Sequence, residues 1–247
     1  MNPQLSRTIN ASIIIPAFNE RENISKVLKQ FNSITSVKLE ILVVVDSEGD
    51  NTKESVDALI EPAHLVKCLV QDVSPGPAGA LKFGIASAVG EYIIVMMADG
   101  SDDVQDVVKM IEFLQLGAAI VCASRYMKGG KQIGGGVVKS SLSKFAGQLL
   151  FSFAKCGTHD ATNSFKGYSR GFIKSVEIES TKGFELGIEL VSKATRRREK
   201  VVEFPTTWVD RDFGSSNFKL VEWFGAYLQW FLYAFGPRIS PNKPLRK

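Results

Sequence analysis

Residues 90–103 read GEYIIVMMADGSDD. Positions 92–97 are all apolar, which suits a strand covered on both faces, and the run stops abruptly at Asp99, Gly100, Ser101, Asp102 and Asp103. Carboxylates at the tip of a buried strand either cap the next helix or hold something charged, because burying them unpaired is costly.

The same shape recurs upstream. SIIIPAF (12–18) is a β-branched run, followed by NERENISKVLKQF, in which Ile24, Val27, Leu28 and Phe31 repeat at helical spacing and Asn19 with Glu22 predicts a capping pair. EILVVVD (40–46) and HLVKCLV (64–70) read as further strands, with helices at 51–60 and 78–89. After the 91–97 strand come a helix at 104–114 and a fifth strand, AAIVCAS, at 118–124. Continuous apolar strands alternating with helices predict an α/β fold, a mostly parallel sheet with helices on both faces. Ligands bind such sheets at the carboxyl ends of the strands. PAFNE, DSEGDNT, SPGPAG and ADGSDD follow the first four strands in turn, so one edge of the sheet collects every polar cluster of this half.

Beyond residue 124 the pattern loosens. RYMKGGKQIGGGVVK is a glycine-rich basic loop, SLSKFAGQLLFSFAKC a largely apolar helix, and NSFKGYSRGFI a short strand and turn. FELGIELVSKATRR is a helix, KVVEFPTTWVD a strand, RDFGSSNF a polar loop, and KLVEWFGAYLQWFLYAF a helix that is apolar nearly all round. No linker or repeat interrupts the chain, which predicts one domain over 1–247, with residues 12–124 and 125–235 as its two halves.

Composition narrows the function. The 247 residues are 45% hydrophobic, enough for a sizeable core, and the net charge of +4 is concentrated in the second half, where it suits phosphate-bearing ligands or an anionic membrane. Cys68, Cys122 and Cys156 are odd in number and widely spaced, which fits reduced thiols in the cytosol better than a disulfide framework or a zinc site. The N-terminus has no secretory-signal pattern. Residues 221–235 are shorter than a membrane span but crowded with Trp, Tyr and Phe, which predicts an interfacial helix, with a core or dimer contact as the alternative.

Carboxylates without nearby His or Cys suit a hard cation, Mg²⁺ or Mn²⁺, shared with a diphosphate. Asp99 is the leading candidate, whereas Asp102 and Asp103 also fit helix capping. Asp46, at the end of the second strand, suits a base or ribose. Gly76 in SPGPAG lets a backbone approach a nucleotide, although the dinucleotide-binding glycine spacing is absent.

SIIIPAFNERENI, EILVVVDSEGDNT, GEYIIVMMADGSDD, SRYMKGG, NSFKGYSR and VDRDFGSSNFKL, in this order, resemble the family 2 glycosyltransferases of GT-A fold, especially the dolichyl- or polyprenyl-phosphate sugar transferases. The resemblance implies that Pro16, Ala17, Asn19, Glu20, Asp46, Gly76, Ala98 and Asp99 face the nucleotide sugar and that Asp99 holds the metal. It places Arg125, Lys139, Ser143 and Arg211 around the acceptor phosphate, and Glu189, with Glu185 as a neighbour, as the base if the acceptor is a hydroxyl. Asp99, Arg211 and Glu189 are thus the expected catalytic set. Three positions depart from the family pattern: Val45 and Met97 stand where it has aspartates, and Asn217 stands where it has a lysine.

The activity implied is inverting transfer of a sugar from a GDP- or UDP-sugar to a polyprenyl phosphate or another membrane-associated acceptor. The expected location is the cytosolic face of a membrane, with no nucleic-acid partner, and a homo-oligomer is compatible with the pattern. The competing readings are a nucleotidyltransferase, which would carry a glycine-rich basic loop after its first strand, and a non-catalytic nucleotide-sugar-binding adaptor, for which Met97 and Val45 speak.

Overall fold

The structure is a computed structural model that describes residues 9–59, 63–210 and 220–239. In chain order the elements are β1 (Ala11–Pro16), α1 (Arg21–Gln30), β2 (Leu39–Val45), α2 (Asn51–Asp57), β3 (Leu65–Val70), α3 (Pro77–Ser87), β4 (Tyr92–Val95), α4 (Asp106–Gln115) and β5 (Ile120–Ser124). There follow β6 (Lys131–Ile133), α5 (Val137–Leu149) with a π-helical extension Leu150–Ala154, β7 (Lys166–Ser169), α6 (Arg170–Ser175), α7 (Leu186–Arg197), β8 (Val201–Pro205), β9 (Thr207–Val209) and α8 (Leu220–Ala234).

Seven strands form one sheet in the order β3-β2-β1-β4-β7-β5-β8, parallel except for β7, which runs antiparallel to both β4 and β5. The order reverses beside β1, so β1 and β4 open a crevice at their carboxyl ends, the switch point where open α/β sheets bind ligands. Both strands are buried along their whole length, and each fully covered Ile or Val contributes about 1.5–3 kcal/mol. One face of the sheet packs on α1 and α4 through Ile13, Ile15, Val27 and Met110. The other packs on α3, α7 and α8 through Ile14, Leu81, Leu190 and Trp230.

Local expectations fail in four places. The Asn19–Glu22 cap does not form: Asn19 adopts a left-handed φ of 55°, Glu20 occupies the N-cap position, and Asn23 Nδ2 donates to Glu20 Oε2 instead. The helix expected from 104 begins at Asp106. α5 starts at Val137, inside the segment read as a glycine-rich loop, which also holds β6. The strand expected over 200–210 breaks at Thr206 into β8 of the main sheet and β9, which pairs in parallel with β6 as a separate two-stranded sheet.

One glycine decides where α5 lies. A Cβ on Gly147 would stand 1.9 Å from the carbonyl oxygen of His159, so only glycine lets α5 press its backbone against the 158–163 segment.

Candidate active site

The crevice expected to hold the donor is assembled from four strand ends. After β1, the chain turns at Asn19, whose amide donates to both carboxylate oxygens of Asp50 at 3.1 Å. The amides of Glu20 and Arg21 donate to Thr52 Oγ1 and Asn51 Oδ1. Asp50 also caps α2 through Thr52 N–H at 2.8 Å, so one buried carboxylate fixes both the first turn and the second helix. Pro16 and Ala17 are buried at the base of the turn, whereas Asn19 is exposed and Glu20 half-buried at its rim.

Asp46 accepts from Gln71 Nε2 at 2.7 Å and from Gly76 N–H at 2.8 Å, and thereby ties the end of β2 to the turn that leads into α3. Gly76 needs to be glycine there because its φ is +99°. The two residues expected to face a nucleotide are therefore together, with Asp46 shaping the turn that Gly76 occupies.

Asp99 follows β4 with 8% of its surface exposed, beside buried Ala98, and its Oδ1 accepts from Ser101 N–H at 3.1 Å. Asp102 is buried and does not cap α4: its Oδ2 accepts from Met97 N–H at 3.0 Å, bending the loop back on itself. Burial pushes the Asp102 carboxyl up to about 7. The Met97 amide opposes this, the Asp99 charge adds to it, and Arg125 opposes it again from across the crevice. Asp103 caps locally, its Oδ1 accepting from Gln105 N–H.

A divalent cation fits this loop in a restricted way. Among the described residues no three His, Cys, Asp or Glu side chains converge on a point. Asp99 offers a carboxylate at the crevice, and Ser101 Oγ is buried without a hydrogen-bond partner. One carboxylate and a hydroxyl oxygen suit Mg²⁺ or Mn²⁺ that takes its remaining ligands from a diphosphate and water.

Two of the residues expected around the acceptor phosphate, Arg125 and Ser143, lie together just after β5. The Arg125 guanidinium makes a forked pair with buried Asp160, Nε to Oδ2 at 2.7 Å and Nη2 to Oδ1 at 2.9 Å, while the Arg125 amide also donates to Oδ2. Burial alone would raise the Asp160 carboxyl, but the Arg125 charge and hydrogen bonds hold it below its ordinary value. Arg125 Nη2 reaches Ser143 Oγ at 3.4 Å, and Ser143 in turn meets Thr162 Oγ1 at 2.5 Å. The rings of Tyr126 and Trp208 lie 4.8 and 6.0 Å from the guanidinium carbon. Held on one edge by Asp160, Arg125 lines an open cleft of about 390 Å³ with Tyr126, Gln132, Gly135, Ser140 and Lys144. A fork with one edge neutralised and the rest facing a cleft is suited to a second anion.

Arg125 and Ser143 thus come together as expected, and Lys139 sits exposed in the first turn of α5. Arg211 lies outside the described residues. Glu189 is not placed to act as a base: it is fully buried, accepts from the amides of Glu179 and Ser180 and from Ser180 Oγ, and pairs with Lys193 Nζ at 2.6 Å. Glu185 is similarly engaged by the amides of Thr181, Lys182 and Gly183. Both carboxylates hold the 177–185 segment onto α7.

Sequence reading missed Asp160, Asp50 and Lys166. The polar stretch THDATN between two apolar segments was the available signal for Asp160. Lys166, the first residue of β7, is fully buried with its ammonium donating to the Asn163 carbonyl, and burial lowers its pKa.

The profile of glycosyl transferase family 2 matches residues 12–176, and the chain belongs to that family. It is 30% identical over 215 residues to dolichol-phosphate mannosyltransferase of Pyrococcus furiosus, covering 85% of this chain and 60% of that protein. It is 28% identical to polyprenol monophosphomannose synthase of Mycolicibacterium smegmatis, with 85% of both chains covered. Among solved structures, glucosyl-3-phosphoglycerate synthase of Mycobacterium tuberculosis in complex with Mn²⁺, UDP and glucosyl-3-phosphoglycerate superposes with a TM-score of 0.66 at 18% identity, over 94% of this chain and 82% of that one. This last likeness establishes the GT-A type of fold. The chain spans about 60% of the length of the Pyrococcus relative.

Proposed function

We propose that this chain transfers a sugar, with inversion, from a GDP- or UDP-sugar to a polyprenyl or dolichyl phosphate at a membrane surface. The observation that carries the acceptor half of this reading is Arg125, locked on one edge by Asp160 and turned toward the cleft beside Ser143. In this reading residues 12–124 hold the donor, with Asp46, Gly76 and Asp99 at the nucleotide and diphosphate. Arg125, Ser143, Lys139 and Arg211 receive the acceptor phosphate.

A phosphate oxygen is already an anion, so its attack on the anomeric carbon needs no strong general base. That agrees with Glu189 and Glu185 being consumed by buried hydrogen bonds. Arg125 orients the nucleophile and offsets its charge as it meets the donor diphosphate. Asp99 would hold Mg²⁺ or Mn²⁺, which when bound supplies the positive charge that stabilises the leaving diphosphate. The names of the two curated relatives point to polyprenyl phosphate as acceptor and make mannose the first sugar to test.

α8 supports membrane association. Its Trp223, Trp230 and Ala234 are buried against the body, while Phe224, Leu228 and Leu232, with Phe235 just past its end, form an exposed stripe along its other face. No helix among the described residues is long and apolar enough to cross a membrane, so this reading has α8 lying on the bilayer.

The decisive experiment is a transfer assay with a panel of GDP- and UDP-sugars, with and without Mn²⁺, using a short-chain polyprenyl phosphate and its dephosphorylated alcohol as acceptors. Metal-dependent transfer to the phosphate and not to the alcohol is expected. Nucleotide-sugar binding without turnover on any acceptor would favour the non-catalytic reading, for which Met97 is the motivating residue.

A further inference from the structure

We infer that Glu203, on the outermost strand β8, is a positioning residue for Arg125: it anchors the 158–160 turn, whose Asp160 aims the guanidinium into the cleft. The inference rests on the reading of that cleft as the seat of an acceptor phosphate and names the group that keeps it in shape.

Asp160 stands on neither a helix nor a strand. The segment that carries it leaves the π-helical extension at Lys155, with a left-handed φ of 59°, and turns again at Gly157, with a φ of 78°. Backbone and side-chain donors in such a segment need acceptors from elsewhere, and β8 supplies them. β8 is the last strand of the sheet, and the segment lies along it so closely that a Cβ on Gly157 would stand 2.8 Å from the Val201 carbonyl oxygen.

Three donors from two consecutive residues end on the Glu203 carboxylate. Its Oε2 accepts from His159 N–H at 2.8 Å and from Thr158 Oγ1 at 3.2 Å, and its Oε1 accepts from His159 Nδ1 at 2.5 Å. The His159 ring also stacks on Phe151 with centroids 3.7 Å apart, which holds the imidazole in place. The Glu203 side chain is only 10% exposed, so leaving these donors unpaired would be costly.

From there the bonds run to the cleft. Thr158 Oγ1 accepts from Asp160 N–H at 3.0 Å, and Asp160 receives the Arg125 fork. On its other side Asn163 N–H donates to Asp160 Oδ1 at 3.3 Å, while Asn163 Nδ2 donates to the Ala123 carbonyl of β5 at 2.9 Å. Asp160 is thus clamped between β5 and β8, and Glu203 is the β8 side of the clamp. In the β5–β8 register Glu203 lies opposite Cys122, and it forms no bond with Arg125 itself, so it acts through the turn. The Arg125 side chain is 13% exposed, which leaves little of the fork to meet a ligand. A shift of about 1 Å in Asp160 would turn that part away, and misplacement on this scale costs up to roughly a hundredfold in rate.

The test replaces the carboxylate and reads Arg125 in two ways. Glu203→Met keeps the length of the side chain and removes the acceptors. With farnesyl phosphate as acceptor its KM should rise about tenfold or more, while the nucleotide-sugar KM stays within about twofold of wild type. Glu203→Gln, whose amide oxygen still accepts from His159 N–H and Thr158 Oγ1, should restore most of the loss. In an Arg125→Lys background Glu203→Met should add little, because the fork it positions is already gone.

The second readout needs no acceptor. The Nε–H of Arg125, identified by NMR through its loss in Arg125→Lys, should exchange with water about tenfold faster or more in Glu203→Met. Thr158→Val, which breaks the same relay more gently, should move it in the same direction and serves if Glu203→Met fails to fold. Ser12→Ala is the control for general destabilisation: it deletes a buried hydroxyl bonded to Glu40 and to Gly90 N–H, at the start of β1, and should move neither readout.

Faster exchange in the relay variants with no transfer to farnesyl phosphate by wild type keeps the positioning role and rejects the acceptor reading. Wild-type exchange in a folded relay variant overturns the inference. So would effects of Glu203→Met and Arg125→Lys on the acceptor KM that simply multiply, a Glu203→Gln variant as impaired as Glu203→Met, or equal changes in Ser12→Ala.

Discussion

The amide of Val209 donates a hydrogen bond to the carbonyl of Ser101 across 3.1 Å. Ser101 belongs to the acidic loop after β4, and Val209 to β9, whose partner β6 leads into the glycine-rich rim of the Arg125 cleft. The acidic loop after β4 and the β6–β9 pair beside Arg125 are therefore bonded to each other. A second link lies nearby: Thr206 Oγ1 donates to buried Asp106 Oδ2 at 2.6 Å, at the start of α4.

Thr206→Val keeps the shape of the side chain and removes the donor to Asp106. Asp106 retains Lys109 at 2.8 Å but loses its buried partner, so a destabilisation of about 1–3 kcal/mol is expected, read as a lower urea midpoint. An unchanged midpoint would mean that backbone bonds alone hold the two halves together.

Arg125→Lys keeps a positive charge beside Asp160 but loses the fork that can serve two anions at once. Transfer to a polyprenyl phosphate should fall by roughly ten- to a hundredfold in kcat/KM, corresponding to about 1.5–3 kcal/mol, with the nucleotide-sugar KM near wild type. An equal rise in the donor KM would move Arg125 to the donor side. Arg125→Ala is the harsher change, because it strands Asp160 as a buried unpaired charge, and it should unfold more readily still.

Asp99→Asn alters charge without volume at a strand end and should abolish metal-dependent turnover while leaving the melting temperature close to wild type. Met97→Asp should tighten Mn²⁺ binding if position 97 faces the cation. Isothermal titration that finds the same Mn²⁺ affinity in the folded variant would show that it does not.

Glu189→Gln tests the correction to the expected base. The charge facing Lys193 disappears from a fully buried pair, so the variant should lose stability by a few kcal/mol, while turnover per folded molecule stays within about twofold of wild type. A catalytic base would show the reverse: intact stability and a collapse in kcat.

Asp102 sets a pH dependence whose sign is opposite to that of a salt-bridged carboxylate. Its folded pKa, about 7, lies above the ordinary value of 3.8. The native state therefore holds a proton that the unfolded chain releases between these values. Its contribution to stability is complete below about pH 4 and is lost as the pH rises to 7, by up to about 1.4 kcal/mol per unit. Asp102→Asn, which can still accept from Met97 N–H, should remove this slope and melt higher than wild type at pH 7. Parallel pH profiles for the two proteins would refute the assignment.

The sequence by itself determined the α/β class, the order of strands β1 to β5 and the edge where polar loops gather, because alternation of apolar runs and helical spacing is a local property. The family resemblance also implied that Arg125 and Ser143 share one site, and in the structure Arg125 Nη2 and Ser143 Oγ lie 3.4 Å apart. Asp46 was recognisable as a strand-end carboxylate, but its engagement by Gln71 and Gly76 was not.

Only the tertiary structure decided the rest. β7 enters the sheet antiparallel between β4 and β5, with Gly167 beside Ile94, Met110 and Leu114, and nothing in its four residues encodes which strands it will separate. Asp160 pairs with Arg125 from 35 residues away, and Glu189 turns into a buried network rather than into the cleft. Periodicity reports which residues prefer to be covered. What covers them, and which distant charge they meet once water is gone, is set by packing of the whole chain, because an ion pair or a strand register gains its energy only after the intervening segments have closed around it.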